Sequence, residues 1–79
     1  MNLEKIGKFI SECRKEKGLT QEQLAERLFI SNRAISKWER GICLPDASTM
    51  LPLCKILGIS VNELLSGEMI NDKNYDKKA

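Results

Sequence analysis

The run from Thr20 to Gly41, TQEQLAERLFISNRAISKWERG, leaves this chain the fewest ways to fold. Its apolar spacing spells two short helices joined by a tight turn. The first opens on Thr20-Gln21-Glu22-Gln23, a capping box in which Thr20 and Gln23 satisfy backbone N–H groups that a helix start leaves unpaired. Leu24, Ala25 and Leu28 then form its buried edge. The second takes Ser31 as its N-cap and stops at Gly41. At roughly 100° per residue, Ala34, Ile35 and Trp38 fall on one side of this second helix. Asn32, Arg33, Ser36, Lys37 and Arg40 spread over about 140° of the other side. That polar stripe has no packing duty, and two uses fit it. One is an ordinary solvated surface, common on amphipathic helices. The other is insertion into a DNA major groove, where Arg and Lys bond the O6 and N7 of guanine, Asn bonds adenine, and spare cations meet phosphates. Trp38, on the apolar side, is expected in the core rather than stacked on a base.

The flanking segments also read as helices. Leu3, Ile6, Phe9, Ile10 and Cys13 make a continuous apolar stripe, which predicts a helix from Leu3 to Lys17. Gly18 stops it, and Lys15 and Lys17 suit its negative end. Gly7, inside that helix, marks a place where a neighbouring backbone comes close. Met50, Leu53, Cys54 and Leu57 give the buried face of a fourth helix over 47–57, stopped by Gly58. Pro52 lies within it and lacks an N–H, so 47–51 are expected to form a looser turn before the regular helix. A second capping box, Ser60-Val61-Asn62-Glu63, opens a fifth helix that closes at Gly67. Four of the five glycines thus follow a helix, which predicts an all-α domain over residues 1–67. Residues 68–79, EMINDKNYDKKA, are expected to be a polar tail, disordered unless a partner orders it.

Taken together, LTQEQLAERL, the following IS, then AISKWERG, LPD and LGISVNELL resemble the helix-turn-helix family of the phage lambda and 434 repressors. The resemblance covers about residues 3–67 and implies a compact five-helix DNA-binding domain, with the helix-turn-helix formed by the second and third helices. It implies that Asn32, Arg33 and Lys37 read bases, with Ser31 and Ser36 as lesser readers. Arg40 is expected to meet a phosphate at the end of the third helix. Gln21, with Thr20 beside it, is expected to meet another at the start of the second, where backbone N–H groups and the helix dipole favour an anion; the competing reading of Gln21 is a solvent-exposed first-turn residue. The resemblance further implies an ion pair between Arg14 and Glu39 that braces the first helix against the third. Leu44 is expected to point inward, with Ile42 and Cys43 near the backbone of bound DNA. The chain departs from the family at Phe29, where a glycine is usual because the turn tends to need a positive φ. A phenylalanine in left-handed geometry carries a strain of about 1–2 kcal/mol. Either the turn is rebuilt, or the ring gains contacts that offset the strain.

Composition excludes more than it selects. Seventy-nine residues allow one small domain. No apolar run approaches a membrane span or a signal peptide, so a cytoplasmic, membrane-free protein is expected. The net charge is +2, and its surplus is lodged in the first half: residues 1–45 hold nine Lys/Arg against six Asp/Glu, and 46–79 hold four against five. Cys13, Cys43 and Cys54 lack CxxC spacing and there is no histidine, so no metal or other cofactor is expected. Cys13 and Cys54 sit on apolar helix faces as small core residues, whereas Cys43 lies in a loop. The absence of histidine and the placement of the lone Tyr75 in the tail argue against an enzyme.

The expected function is therefore sequence-specific binding of double-stranded DNA by a small transcriptional repressor. A homodimer on a pseudo-palindromic site follows from the resemblance, with the fifth helix and Met69-Ile70 as the expected contact surface. The rival is an antitoxin or other protein-interaction module that keeps the same fold and binds a protein partner.

Overall fold

A computed structural model describes residues 1–70. Five helices follow one another: α1 (Leu3–Glu16), α2 (Gln21–Leu28), α3 (Asn32–Glu39), α4 (Ala47–Leu57) and α5 (Val61–Ser66). Each starts on a side chain that accepts a backbone N–H of its first turn: Asn2, Thr20, Ser31, Asp46 and Ser60. Both capping boxes are complete, with the Gln23 and Glu63 side chains reaching back to the cap N–H groups of Thr20 and Ser60. The expected tail at 71–79 lies outside the described residues. Residues 68–70 are fastened to the body: Lys5 Nζ meets Glu68 Oε1 at 2.8 Å, and the Ile70 N–H donates to Glu63 Oε2 at 3.1 Å.

One core holds the helices together. Ile6 and Ile10 of α1, Leu24 of α2, Ile35 of α3, Leu53 of α4 and Leu64 of α5 are all fully buried. Each helix therefore contributes at least one residue that water never reaches, which is how a chain this short closes a core. Cys13 and Cys54 lie in that core and Cys43 is exposed. Burial pushes the Cys13 thiol up to about 11 and raises that of Cys54, so both are inert packing groups. α1 rests directly on the end of α3. A Cβ added at Gly7 would collide with the carbonyl oxygen of Trp38 and lie 2.7 Å from that of Glu39, so only glycine permits the approach.

All five helices end in the same way. After α1 the Gly18 N–H bonds the Lys15 carbonyl and the Leu19 N–H bonds the Arg14 carbonyl; the pattern recurs at Gly41/Ile42, Gly58/Ile59 and Gly67/Glu68. It is a paired closure of orphan carbonyls that places one residue in the left-handed region. At α2 that residue is Phe29, at φ 59° and ψ 41°, with its own N–H on Glu26 and that of Ile30 on Ala25. The turn keeps the geometry a glycine would adopt, and the Phe29 ring is 94% exposed. Neither expected resolution holds, since the turn is not rebuilt and the ring gains no packing. The two hydrogen bonds and the burial of the helices on either side carry the strain instead.

The region around Pro52 also differs from expectation. α4 is regular from Ala47, with Pro52 inside it and no looser turn at 47–51. Asp46 caps the start, its Oδ1 accepting from the Thr49 N–H at 3.0 Å and from the Ser48 hydroxyl at 3.1 Å. The carbonyl that loses its donor to Pro52 belongs to Ser48, which is exposed, so water can take the missing place. α1 is one residue shorter than expected, with Lys17 as its C-cap.

The strain at Phe29 gives a direct test. Relief of about 1–2 kcal/mol of left-handed strain outweighs the roughly 0.5–1 kcal/mol of chain entropy that a glycine costs. Phe29→Gly is therefore expected to leave stability unchanged or raise it by up to about 1 kcal/mol in urea unfolding. A loss of several kcal/mol would show that the ring packs on the core.

Candidate nucleic-acid interface

α3 is built to offer one face and bury the other. The Ser31 hydroxyl accepts the Ala34 N–H at 3.4 Å and starts the helix, while Ile35 and Trp38 anchor it in the core. Ala34 packs against the same core from its edge. On the outward side Asn32, Arg33 and Lys37 are exposed, and none has a hydrogen-bond or ion-pair partner among the described residues. Ser31 is exposed beside them. Ser36 is half-buried and already engaged, its Oγ accepting from Arg40 Nε at 3.1 Å. The same Nε also bonds the Ser36 carbonyl at 3.3 Å, so the Arg40 side chain lies back along α3 from the exposed C-cap position. Its outer guanidinium nitrogens have no partner among the described residues. Leu44 packs against the core, while Ile42 and Cys43 stand exposed just past the end of α3.

The start of α2 forms the second part of the surface. Thr20 is exposed, and its hydroxyl accepts the Gln23 N–H at 3.0 Å. Gln21, the first residue of the helix, is half-buried rather than free in solvent. Its Nε2 donates to Glu39 Oε1 at 2.9 Å. This contact joins residues 18 positions apart and has no local sequence signature, so periodicity could not reveal it.

Behind both parts lies an ion pair. Arg14 Nε meets Glu39 Oε2 at 2.7 Å and Arg14 Nη2 meets Oε1 at 3.1 Å, a two-pronged contact between side chains only 10% and 8% exposed. Arg14 Nη1 donates to the Leu19 carbonyl at 2.8 Å. Glu39 is thereby turned inward, and α3 presents cations outward without its own carboxylate to cancel them. No cluster of Cys, Asp or Glu among the described residues could hold a metal.

Comparison with known proteins places this helix pair in a family. A family model described as helix-turn-helix matches residues 10–64. The chain belongs to that helix-turn-helix family. It is similar to the transcriptional activator BcrR of Enterococcus faecalis, 46% identical over 59 residues that make up 75% of this chain and 29% of BcrR. It is also similar to the transcriptional regulator ImmR of Bacillus subtilis, at 36% identity over 87% of this chain and 54% of ImmR. The chain thus spans about half or less of these relatives. Among solved structures, the P22 c2 repressor bound to a synthetic operator superposes with a TM-score of 0.75 at 36% identity, covering 80% of this chain and 96% of that one. The five-helix architecture is that of the lambda and 434 repressor domains, as the resemblance implied.

The ion pair of this helix-turn-helix domain is testable by unfolding. Because both charges are buried, removing one partner should cost about 3 kcal/mol or more, well above an exposed pair. A double-mutant cycle in urea with Arg14→Met and Glu39→Leu is expected to show the double variant losing much less than the sum of the singles. Additive losses would reject the coupling.

Proposed function

We propose that this chain binds specific sites on double-stranded DNA and acts as a small transcriptional repressor. The observation that carries the proposal is the outward face of α3. Asn32, Arg33 and Lys37 are exposed there without a partner among the described residues, on a helix whose other side is locked by Ile35 and Trp38. A rigid helix with free bidentate donors matches the chemistry of base edges in a major groove. Asn32, Arg33 and Lys37 read bases, with Ser31 and Ser36 at the margin. Arg40 takes a phosphate at one end of the helix, and Thr20 and Gln21 take another at the start of α2, where the helix dipole adds its own attraction. The likeness to an operator-bound repressor supports this reading, and so do relatives that are transcriptional regulators. The antitoxin alternative draws no support from the relatives named above.

The protein works as a homodimer on a pseudo-palindromic site. Two apolar surfaces near α5 support self-association: a groove of about 500 Å³ lined by Leu51, Pro52, Ile59 and Val61 at its start, and exposed Met69 and Ile70 past its end. Two half-sites about 34 Å apart, or a multiple of that, would then face one side of the duplex. The cytoplasm is the compartment in which such a regulator meets DNA, and no helix among the described residues is long and apolar enough to cross a membrane. Sites of this kind bind and position DNA, with no catalytic step and no cofactor.

Base readers and phosphate contacts differ in what their loss does. Arg33→Ala is expected to cost about 1–3 kcal/mol on a selected duplex and to flatten preference at one or two base pairs. Arg40→Ala should weaken all duplexes alike and reduce the salt slope by about one unit. Fluorescence anisotropy on selected and scrambled duplexes at several salt concentrations reads both. Equal wild-type affinity for the two duplexes, unchanged on losing Arg33 or Lys37, would overturn the proposal.

A further inference from the structure

Three helices converge on one carboxylate. Glu39, the last residue of α3, receives Arg14 of α1 on both oxygens and Gln21 of α2 on Oε1. Its position is an awkward one for a negative charge. The C-terminal end of a helix already carries partial negative charge, and the side chain is nearly out of water. Such a carboxylate stays in place only if its lone pairs meet donors. On Oε1 the Gln21 contact, at 2.9 Å, is shorter than the Arg14 contact, at 3.1 Å. The start of α2 is moreover tied a second time, through the Arg14 Nη1 bond to the Leu19 carbonyl at 2.8 Å.

We infer that Gln21 is a positioning residue for base reading: its amide locks the start of α2 to the end of α3 through Glu39, and so sets the angle at which the Asn32–Arg33–Lys37 face meets a groove. The inference rests on the proposal that this face reads bases. Among the described residues the Gln21 amide makes no other hydrogen bond, so its second N–H and its oxygen are left without a protein partner. One side chain then joins a phosphate-facing helix start to the base-reading helix. A contact with phosphate alone would leave sequence preference untouched, because phosphates carry no sequence information. A contact that orients α3 acts on preference itself.

Gln21→Met keeps the length of the side chain and removes the donor. Anisotropy titrations on a selected and a scrambled duplex are compared for variant and wild type, with circular dichroism used to choose a temperature at which each is fully helical. The ratio of the two affinities is expected to fall about tenfold, what misplacing one good base contact costs in discrimination. Gln21→Asn, which keeps the amide but is too short to reach Glu39, is expected to lower the ratio similarly and serves if the Met variant does not fold. An unchanged ratio in a folded variant, with both duplexes weakened equally or not at all, would overturn the inference while leaving base reading by α3 intact. A wild-type ratio of one would overturn the base-reading proposal and the inference with it.

Discussion

The Arg14–Glu39 pair is the contact on which the presentation of α3 depends. It joins the first helix to the last residue of the third, and its carboxylate also holds the start of the second. A charged pair is an expensive brace, since hydrophobic residues of similar volume commonly stabilise as much or more. What an ion pair adds is direction. Two prongs from a planar guanidinium fix a carboxylate in angle as well as distance, whereas apolar packing tolerates sliding. On the proposed reading, in which the donors of α3 meet base edges to within a hydrogen-bond length, angle matters more than a kcal/mol of stability.

The backbone accepts costs to serve the same end. Gly7 gives up a side chain so that α1 can lie against the carbonyls of Trp38 and Glu39, at the end of α3 that Arg14 also holds. Phe29 sits in left-handed geometry with its ring in solvent, where the other four helix ends use glycine. The α2–α3 turn is therefore held from outside, by the contacts of the two helices it joins, rather than by the turn residue. Leu24 and Ile35, both fully buried, keep the two helices on the core, the Glu39 contacts orient them, and Phe29 follows. At the other end of the domain, Glu63 does double service. Its carboxyl closes the capping box on Ser60 and also takes the Ile70 N–H, and these bonds hold it below the usual carboxylate range. Its contribution is present at neutral pH and is lost as pH falls through that lowered value.

Much of this was legible in the sequence because it is local. Capping boxes at Thr20 and Ser60, stop glycines at 18, 41, 58 and 67, and apolar residues three and four apart are short-range signals, and every helix follows from them. Gly7 announced a close approach for the same reason, since glycine inside a helix needs a cause. What stayed hidden was either long-range or a balance of competing terms. The Gln21–Glu39 bond has no spacing to betray it. Arg40 lying back on Ser36 depends on rotamer choice. Pro52 inside a regular α4 depends on a strong cap at Asp46 and on Ser48 being an exposed residue, and no single residue type reports that balance. The outward stripe of α3 was legible as chemistry, and the resemblance already turned Glu39 toward Arg14; that Asn32, Arg33 and Lys37 have no partner among the described residues depends on their rotamers and could be read only in the structure.

The central claim is that the outward face of α3 meets DNA while the brace behind it stays intact. An NMR titration of amide and arginine side-chain signals with a selected duplex tests it most directly. The largest shifts are expected at Gln21, at 32–37 and at 40–43, with the Arg14 Nε signal kept in its paired position throughout. Shifts concentrated on α5, Met69 and Ile70, with the amides of Asn32, Arg33 and Lys37 unmoved, would contradict the account.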